Sequence, residues 1–278
     1  MRRVDLHVHS TASDGTLPPS RLVGLARRCS LACLALCDHD TVDGLEEFFR
    51  AGRELDFPVV GGLELSLNFS GTTHLLGLGV LADGTIPKEL EAVKNYRLER
   101  NLRLLESLKN NGVALDWERV LEISGGGQTG RPHFARAMVE AGYCQTMPEA
   151  FDRYLARGRR AYVDKVRPKP EEALGLLRSA GFAPVLAHPV SMGLGVDGLA
   201  GTLPRWMDWG LAGLEAYHPD QTPEFAQSIV KICRRFGLVP TAGSDFHGAN
   251  KKTPLTWARD HSPLGVKTLA ELTEALGR

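Results

Sequence analysis

The sequence has no apolar run long enough to cross a membrane, no net charge and no cysteine pair spaced C-x-x-C. A spanning helix needs about 20 consecutive apolar residues, and no such run occurs, so we expect neither a membrane span nor a signal peptide. Lysine plus arginine and aspartate plus glutamate both number 33, so no broad basic face for duplex nucleic acid is expected. These absences predict a cytoplasmic protein that binds neither membranes nor duplex DNA.

The cysteines are few and odd in number. Most of the five lie in apolar stretches such as residues 29–37, which is typical of reduced, buried thiols rather than disulfides. The spacing of Cys29, Cys33 and Cys37 would also suit a metal-ligand set, but Cys33 to Cys37 has the pattern of a strand. We therefore expect these thiols in the core and the metal ligands elsewhere.

Short apolar runs alternate with helical patterns at both ends of the chain. This βα order predicts a parallel sheet that closes into an α/β barrel, with chemistry at the strand ends. The predicted strands are 4–8, 32–37, 59–67, 74–80, 184–187, 214–217 and 238–242.

Residues 88–165 have a different texture. A charged helical pattern over 88–123 ends at Gly125-Gly126-Gly127, and further helical patterns follow at 131–141 and 148–157 with no convincing strand between them. The sequence therefore predicts a barrel formed by residues 1–87 and 166–278, with an all-helical insert over 88–165.

Residues that can bind metal recur where the predicted strands end. His7 and His9 share one face at the end of the first strand, and Asp245 and His247 repeat that spacing after the last strand. Each cluster has an ordinary explanation as a turn, a helix cap or a loop before proline, but their joint position predicts one polynuclear metal site. The remaining candidates are Asp14, His39, Glu64, His74 and His188.

Several motifs resemble those of the polymerase and histidinol phosphatase (PHP) superfamily. They are Asp-Leu-His-Val-His-Ser at 5–10, Ser-Asp-Gly at 13–15, Cys-Asp-His-Asp-Thr-Val-Asp-Gly at 37–44 and Gly-Ser-Asp-Phe-His at 243–247. Residues 129–136, 161–163 and 213–218 are similar to the bacterial TrpH-like branch. The resemblance implies a distorted (β/α)7 barrel, a helical insert over its mouth and up to three divalent ions.

The resemblance also implies how the ligands divide among the ions. His7, His9, Glu64 and Asp245 would hold the first ion, and Glu64 would bridge to a second ion held by His74 and His188. Asp14, His39 and His247 would hold the third. Six imidazoles and three carboxylates without thiolate suit manganese, zinc or iron better than calcium or magnesium, and manganese is the first choice. Asp5, Asp38 and Asp40 are predicted to orient imidazoles.

Such a site predicts phosphoester hydrolysis by a metal-bound hydroxide without a covalent intermediate. Arg131, at the start of a predicted helix, is a candidate clamp for a second phosphate, or an ordinary arginine packed on its own turn. His218 could bind phosphate or protonate the leaving oxygen, or be a loop histidine. Lys165 and Arg167 could line the entrance, whereas His133 is predicted to be structural and His261 to be a surface residue.

The resemblance implies a nucleotide or short RNA substrate. Our first hypothesis is removal of the 3′-phosphate from a nucleoside 3′,5′-bisphosphate, and the alternative is a 5′-to-3′ exoribonuclease acting on short 5′-phosphorylated RNA. A histidinol-phosphate phosphatase, an amidohydrolase and a noncatalytic phosphate-binding module are further alternatives.

Overall fold

The computed structural model describes residues 3–79, 91–124, 129–164 and 167–276. The chain divides into two compact units, one formed by Met1–Glu91 with Arg167–Arg278 and the other by Ala92–Val166. The domain boundaries predicted at 87–88 and 165–166 lie outside the described residues. Among the helices that can be described, none is both long and apolar enough to traverse a bilayer.

The first unit contains one seven-stranded sheet whose strands follow each other in sequence order. Beyond the last strand, a parallel bridge joins Val8 to Phe246, and the His9 amide donates to the Phe246 carbonyl at 2.9 Å. The sheet therefore nearly closes, as the predicted barrel requires. The strands are β1 (Val4–Val8), β2 (Cys33–Leu36), β3 (Val59–Ser66), β4 (His74–Gly79), β5 (Ala183–Leu186), β6 (Gly213–Tyr217) and β7 (Val239–Ala242).

The sheet is not wholly parallel, because β4 runs antiparallel to both β3 and β5. The expectation of a parallel sheet was wrong at this strand. Residues 67–73 between β3 and β4 are too few for the crossover that parallel neighbours need, so the two strands form a hairpin. As a result His74, the first residue of β4, lies at the same edge of the barrel as the last residues of the parallel strands.

Helices lie between the strands of this unit. Helix α9 illustrates their construction: its buried Ala226, Ile229 and Ile232 are spaced for one face, and Gly237, at φ 70°, ends the helix in a left-handed conformation. The short helices α10 and α11 were not predicted. The helices of this unit are α1 (Pro19–Arg28), α2 (Leu45–Glu54), α7 (Pro170–Ser179), α8 (Gly195–Asp208), α9 (Pro223–Phe236), α10 (Trp257–His261) and α11 (Lys267–Leu276).

In the described residues of the second unit, all regular secondary structure is helical. It comprises α3 (Glu91–Asn110), α4 (Trp117–Ser124), α5 (Arg131–Glu140), α6 (Met147–Ala150) and a π-helical turn, Phe151–Leu155. Its own apolar cluster includes Leu104, Leu108, Phe134, Met138 and Leu155.

Candidate metal centre

Two strands that carry residues of the candidate site pair irregularly with their neighbours. Between Asp5 and Val8, β1 has one residue more than the facing stretch of β2, Leu34 to Leu36. A second irregularity separates Glu215 from the residue paired at the end of β6. His7 and His9 both point into the site, as their i, i+2 spacing predicts: Nε2 of each lies 3.4 Å from Oε2 of Glu64.

The Glu64 carboxylate lies at the centre of the site and is fully buried. Burial raises its pKa, but the neighbouring imidazole charges outweigh burial and hold the pKa well below its ordinary value. Five imidazole nitrogens surround its two oxygens: Nδ1 of His74 at 2.7 Å and Nε2 of His188 at 3.0 Å from Oε1, and Nδ1 of His39 at 2.9 Å, Nε2 of His7 at 3.4 Å and Nε2 of His9 at 3.4 Å from Oε2.

Asp245 is a second buried carboxylate beside His7 and His9. Its Oδ1 lies 3.2 Å from Nε2 of His9 and 3.7 Å from Nε2 of His7. Its Oδ2 lies 3.4 Å from Nε2 of His218 and forms an ion pair with Lys251. Burial raises the pKa of Asp245, but the charge of His7 and hydrogen bonds from His218 and His9 outweigh burial. The pKa therefore lies below its ordinary value, and the carboxyl is ionised.

A third group gathers around Asp14, whose side chain is half exposed. Its Oδ1 lies 3.2 Å from Nε2 of His247 and 3.7 Å from Nδ1 of His9, and its Oδ2 lies 3.8 Å from Nε2 of His39. One potential ligand atom from each of these four residues falls within 4.8 Å of the others. This part of the site is the one most open to solvent.

The hydrogen bonds fix which nitrogen of three imidazoles carries a proton. Nδ1 of His7 lies 3.0 Å from Oε1 of Glu215, and Nδ1 of His247 lies 2.8 Å from the Asp245 carbonyl, so both donate from Nδ1. The Ser191 hydroxyl donates to the Thr72 carbonyl at 2.6 Å, so it accepts from Nδ1 of His188 at 2.8 Å. In the neutral rings, Nε2 therefore presents a lone pair to the site.

Divalent ions fit this donor set. Neutral imidazole lone pairs facing carboxylate oxygens repel each other unless a cation or proton lies between them. Burial lowers the pKa of His9 to about 3, with the charge of His39 adding to the effect, so His9 is neutral at pH 7. Burial also lowers the pKa of His7, but the charges of Glu215, Glu64 and Asp245 raise it above its ordinary value. The carboxylates around His7 therefore favour positive charge in the site, which divalent ions would supply.

Glu215 contacts two residues of the site and was not predicted as a site residue. Its Oε1 accepts from His7, and its Oε2 accepts from the His188 backbone N–H at 2.7 Å. Gly243 makes this approach possible, because a Cβ there would collide with Cβ of His7 and Oε1 of Glu215. The signal available in the sequence was a glutamate within a short apolar strand pattern, three residues before His218.

The His188 backbone is strained where Glu215 holds it. His188 has a φ of 25° and precedes Pro189, a position at which helical conformations are disfavoured. Such strain persists only where neighbouring bonds enforce it, and the bonds from Glu215, Glu64 and Ser191 do so.

The predicted imidazole partners have other bonds. Oδ1 of Asp5 accepts from the Ser244 amide at 3.0 Å, and Oδ1 of Asp38 accepts from the Ser10 amide at 2.8 Å. Asp40 accepts from the amide of Ser66. Asp5 and Asp38 thus hold the backbone beside Asp245 and His9, so the prediction that Asp5 and Asp38 orient rings directly was wrong. Glu215 orients the ring of His7.

His218 lies within the same site. It is buried, and its Nδ1 accepts from the Asp220 amide at 3.1 Å. In the neutral ring the proton is therefore on Nε2, which faces Asp245. His218 is thus arranged differently from the three imidazoles that donate from Nδ1.

The other predicted residues lie in their own surroundings. Half-buried Arg131 begins α5 in the helical unit, donates from Nη1 to the Leu155 carbonyl at 3.2 Å and stacks over Tyr162 at 5.5 Å. His133 accepts from the Gly130 amide, and His261 is exposed and stacks on Trp257. Arg167 is exposed, and Lys165 lies outside the described residues.

Comparison with known proteins shows which family this chain resembles. The PHP domain family matches residues 5–123. A 5′-3′ exoribonuclease of Haemophilus influenzae is 32% identical over 88% of this chain and 90% of its own length. A 3′,5′-nucleoside bisphosphate phosphatase of Chromobacterium violaceum is 31% identical over 89% of this chain and 88% of its own length. A solved structure from Bifidobacterium adolescentis, described as a metal-dependent phosphoesterase, superposes with a TM-score of 0.73 and 27% identity, covering 100% of this chain and 99% of that one.

Proposed function

This chain belongs to the PHP family of phosphoesterases, and from that membership we propose that it removes the 3′-phosphate of nucleoside 3′,5′-bisphosphates to give 5′-mononucleotides. The activity named for the Chromobacterium violaceum relative supports this substrate. The observation that carries the proposal is the Glu64 carboxylate, buried among five imidazoles and flanked by two further carboxylates.

We assign the ligands as three groups around Glu64. The first ion would take His7, His9, Glu64 and Asp245, the second Glu64, His74 and His188, and the third Asp14, His39 and His247. When bound, such ions polarise the phosphate oxygens and make water a strong nucleophile at neutral pH. Manganese, with zinc or iron as alternatives, suits this N/O donor set. The metal's identity and a cytoplasmic location stay predictions.

His218 would donate a hydrogen bond from Nε2–H to the departing O3′, while the proton that O3′ takes up would come from water, because a neutral imidazole that lost its only N–H proton would become an imidazolate. Hydrolysis joins the hydroxyl of water to phosphorus and breaks the bond to O3′, which must then take up a proton. Because the Asp220 amide occupies Nδ1 of His218, the ring presents an Nε2–H inside the site. Asp245, 3.4 Å from that nitrogen, would hold the ring in position.

Arg131 would bind the second phosphate of the substrate. One of its guanidinium nitrogens is used by the Leu155 carbonyl, and the stacked Tyr162 ring limits how the side chain can turn. A guanidinium has five N–H donors, so several would be left for a phosphate. This contact would distinguish a bisphosphate from a simple monophosphate.

A 5′-to-3′ exoribonuclease is the second candidate function. The Haemophilus influenzae relative carries that name. The two reactions break the same bond, since each internucleotide linkage of RNA is an ester of the 3′-phosphate, and both yield a 5′-mononucleotide. The candidates differ in whether the 3′-phosphate carries a further nucleotide.

Product analysis tests the proposal. Purified, manganese-supplemented protein would be incubated separately with adenosine 3′,5′-bisphosphate, a short 5′-phosphorylated RNA and histidinol phosphate. Phosphate and AMP from the bisphosphate with intact RNA would establish the phosphatase, whereas stepwise mononucleotides from the RNA 5′ end would establish the exoribonuclease. Hydrolysis of histidinol phosphate alone would refute both nucleotide activities.

A further inference from the structure

A cleft of about 530 Å³ lies in the barrel unit, and none of the candidate metal ligands lines it. It is formed by the β3–β4 hairpin, the start of α7 and the second half of α8. A pocket of this size falls in the range that small ligands occupy. Its chemistry is carried by Phe69, Lys169, Glu171, Arg205, Trp206 and Trp209.

One wall of the cleft is an aromatic ring that packs against a second ring. Phe69 is 42% exposed, and its ring meets Trp206 edge-on at 5.2 Å between centroids. Trp206 is only 2% exposed and forms the support behind it. The exposed part of Phe69 is therefore an apolar surface, backed by a buried ring, against which a planar ligand can pack.

Positive charge accompanies the aromatic surface. The Arg205 guanidinium lies 4.7 Å from the centroid of the Trp209 ring, and Lys169 lines the cleft beside α7. Glu171 is the acidic residue of the lining, so the cations outnumber it. Aromatic rings interleaved with basic side chains are the combination that single-stranded nucleic acids bind, with bases stacked on rings and phosphates near cations.

The cleft is linked to the metal centre through the hairpin. Phe69 follows Glu64 by five residues and precedes His74 by five, which places its backbone within about 18 Å of each. The hairpin is tied to the loop after His188, because the Ser70 hydroxyl donates to the Met192 carbonyl at 3.0 Å and the Thr72 amide donates to the Ser191 carbonyl at 3.0 Å. A short strand of nucleotides could span this distance.

We propose that this cleft binds a base and an adjacent phosphate of a single-stranded oligoribonucleotide whose first linkage is hydrolysed at the metal centre. The inference rests on the second candidate function, the exoribonuclease, and deepens it, because such a contact serves an oligonucleotide and is not used by a nucleoside bisphosphate. It favours the exoribonuclease over a phosphatase restricted to small molecules.

The test uses the full chain and a change at Phe69. In Phe69→Ala, kcat/KM on a 5′-phosphorylated RNA of six nucleotides should fall about tenfold, the range expected for one lost base stack. The value on adenosine 3′,5′-bisphosphate should change less than twofold. Phe69→Leu is the second variant, because it keeps an apolar contact with Trp206. If Phe69→Ala disturbs folding, Phe69→Leu should still show the selective loss on RNA. Phe236→Ala is the matched control, since Arg235 stacks on Phe236 at 5.1 Å outside this cleft.

A binding measurement separates failure of the cleft from failure of the proposed reaction. Fluorescence anisotropy of a labelled six-nucleotide RNA on EDTA-treated protein reports binding without turnover, and Phe69→Ala should weaken it about tenfold. Unchanged RNA binding and cleavage in the variant would overturn the proposal. Equal losses on RNA and bisphosphate would also overturn it, because Phe69 would then act through the hairpin on the metal centre. If no phosphoester is hydrolysed, the proposed function fails while the anisotropy result still decides the cleft.

Discussion

Oε1 of Glu215 lies 3.0 Å from Nδ1 of His7, and both side chains are fully buried. The carboxylate fixes the tautomer of His7 and aims Nε2 at Glu64 and Asp245. Its second oxygen holds the strained His188 backbone. Glu215, on β6, thereby holds the ring of His7 on β1 and the backbone of His188, which follows β5. It would act on the proposed ions only through these two residues.

Glu215→Gln should weaken metal binding. The amide carries no charge, so it makes the His7 ring a poorer donor, and it cannot accept on both atoms as the carboxylate does. Loss of a partner of this kind typically lowers metal affinity about 10–100-fold. Competition with a chromogenic chelator measures the affinity. Glu224→Gln, an exposed change at the start of α9, is the control, and equal affinity in both variants would contradict the role given to Glu215.

Glu64→Gln should remove at least one bound ion per chain and lower turnover on every phosphoester. The two oxygens of Glu64 contact two different sets of imidazoles, so a neutral amide weakens both proposed ligand groups at once. A loss of at least about 100-fold in kcat is expected, since a direct ligand should matter no less than its outer partners. Plasma mass spectrometry counts the ions, with Glu54→Gln on the exposed end of α2 as control. Full ion content with normal turnover would exclude the central role.

Removing metal should destabilise the protein. An ion that binds only the folded state at 100 times its dissociation constant adds about 2.7 kcal/mol to the free energy of unfolding. For a chain of this size, that corresponds to a rise in Tm of about 5–10 °C. Thermal unfolding of EDTA-treated protein with increasing Mn²⁺ measures the rise. Mg²⁺ should raise Tm less, because imidazole nitrogens suit it poorly; equal shifts would argue against ligation by the histidines.

Asp5→Asn should change how stability depends on pH in metal-free protein. Burial raises the pKa of Asp5 from 3.8 to about 7, against hydrogen bonds from Ser244 that lower it. Between those values the folded state holds a proton that the unfolded state has released, so Asp5 makes the free energy of unfolding fall as pH rises. The total is roughly 4 kcal/mol. Asn cannot ionise but keeps an acceptor for the Ser244 amide.

Urea unfolding at pH 4, 5.5 and 7 tests this sign. From pH 4 to pH 7, Asp5→Asn should gain stability relative to the wild type, whereas the exposed control Asp208→Asn should not. Parallel pH profiles for Asp5→Asn and the wild type would show that Asp5 does not hold its proton in the folded chain.

The parts of the fold that depend on periodicity could be predicted from the sequence, and those that depend on contacts between distant residues or on short connections could not. The positions of His7, His9, Asp245 and His247 near strand ends could be predicted, because alternation and turn residues mark those ends. The role of Glu215 could not, because its partners, His7 and the His188 amide, are far from it in the sequence. The reversal of β4 follows from a short connection, and α10, with five residues, forms only through packing.

Arg131→Ala should weaken use of the bisphosphate and spare a generic aryl phosphate, whereas Asp14→Ala should lower turnover on both. The reason is that a phosphate clamp acts only on a substrate with a second phosphate, while Asp14 belongs to the proposed ligand set. A loss of about 10–100-fold in kcat/KM for the bisphosphate matches a lost charge-assisted hydrogen bond of about 1.5–3 kcal/mol. Because Arg131 also bonds Leu155, the Tm of the variant must be measured alongside. Arg136→Ala, an exposed arginine of the same helix, is the matched control. Equal losses on both substrates for Arg131→Ala, with Tm lowered, would mean that this arginine supports the helical unit and does not select the substrate.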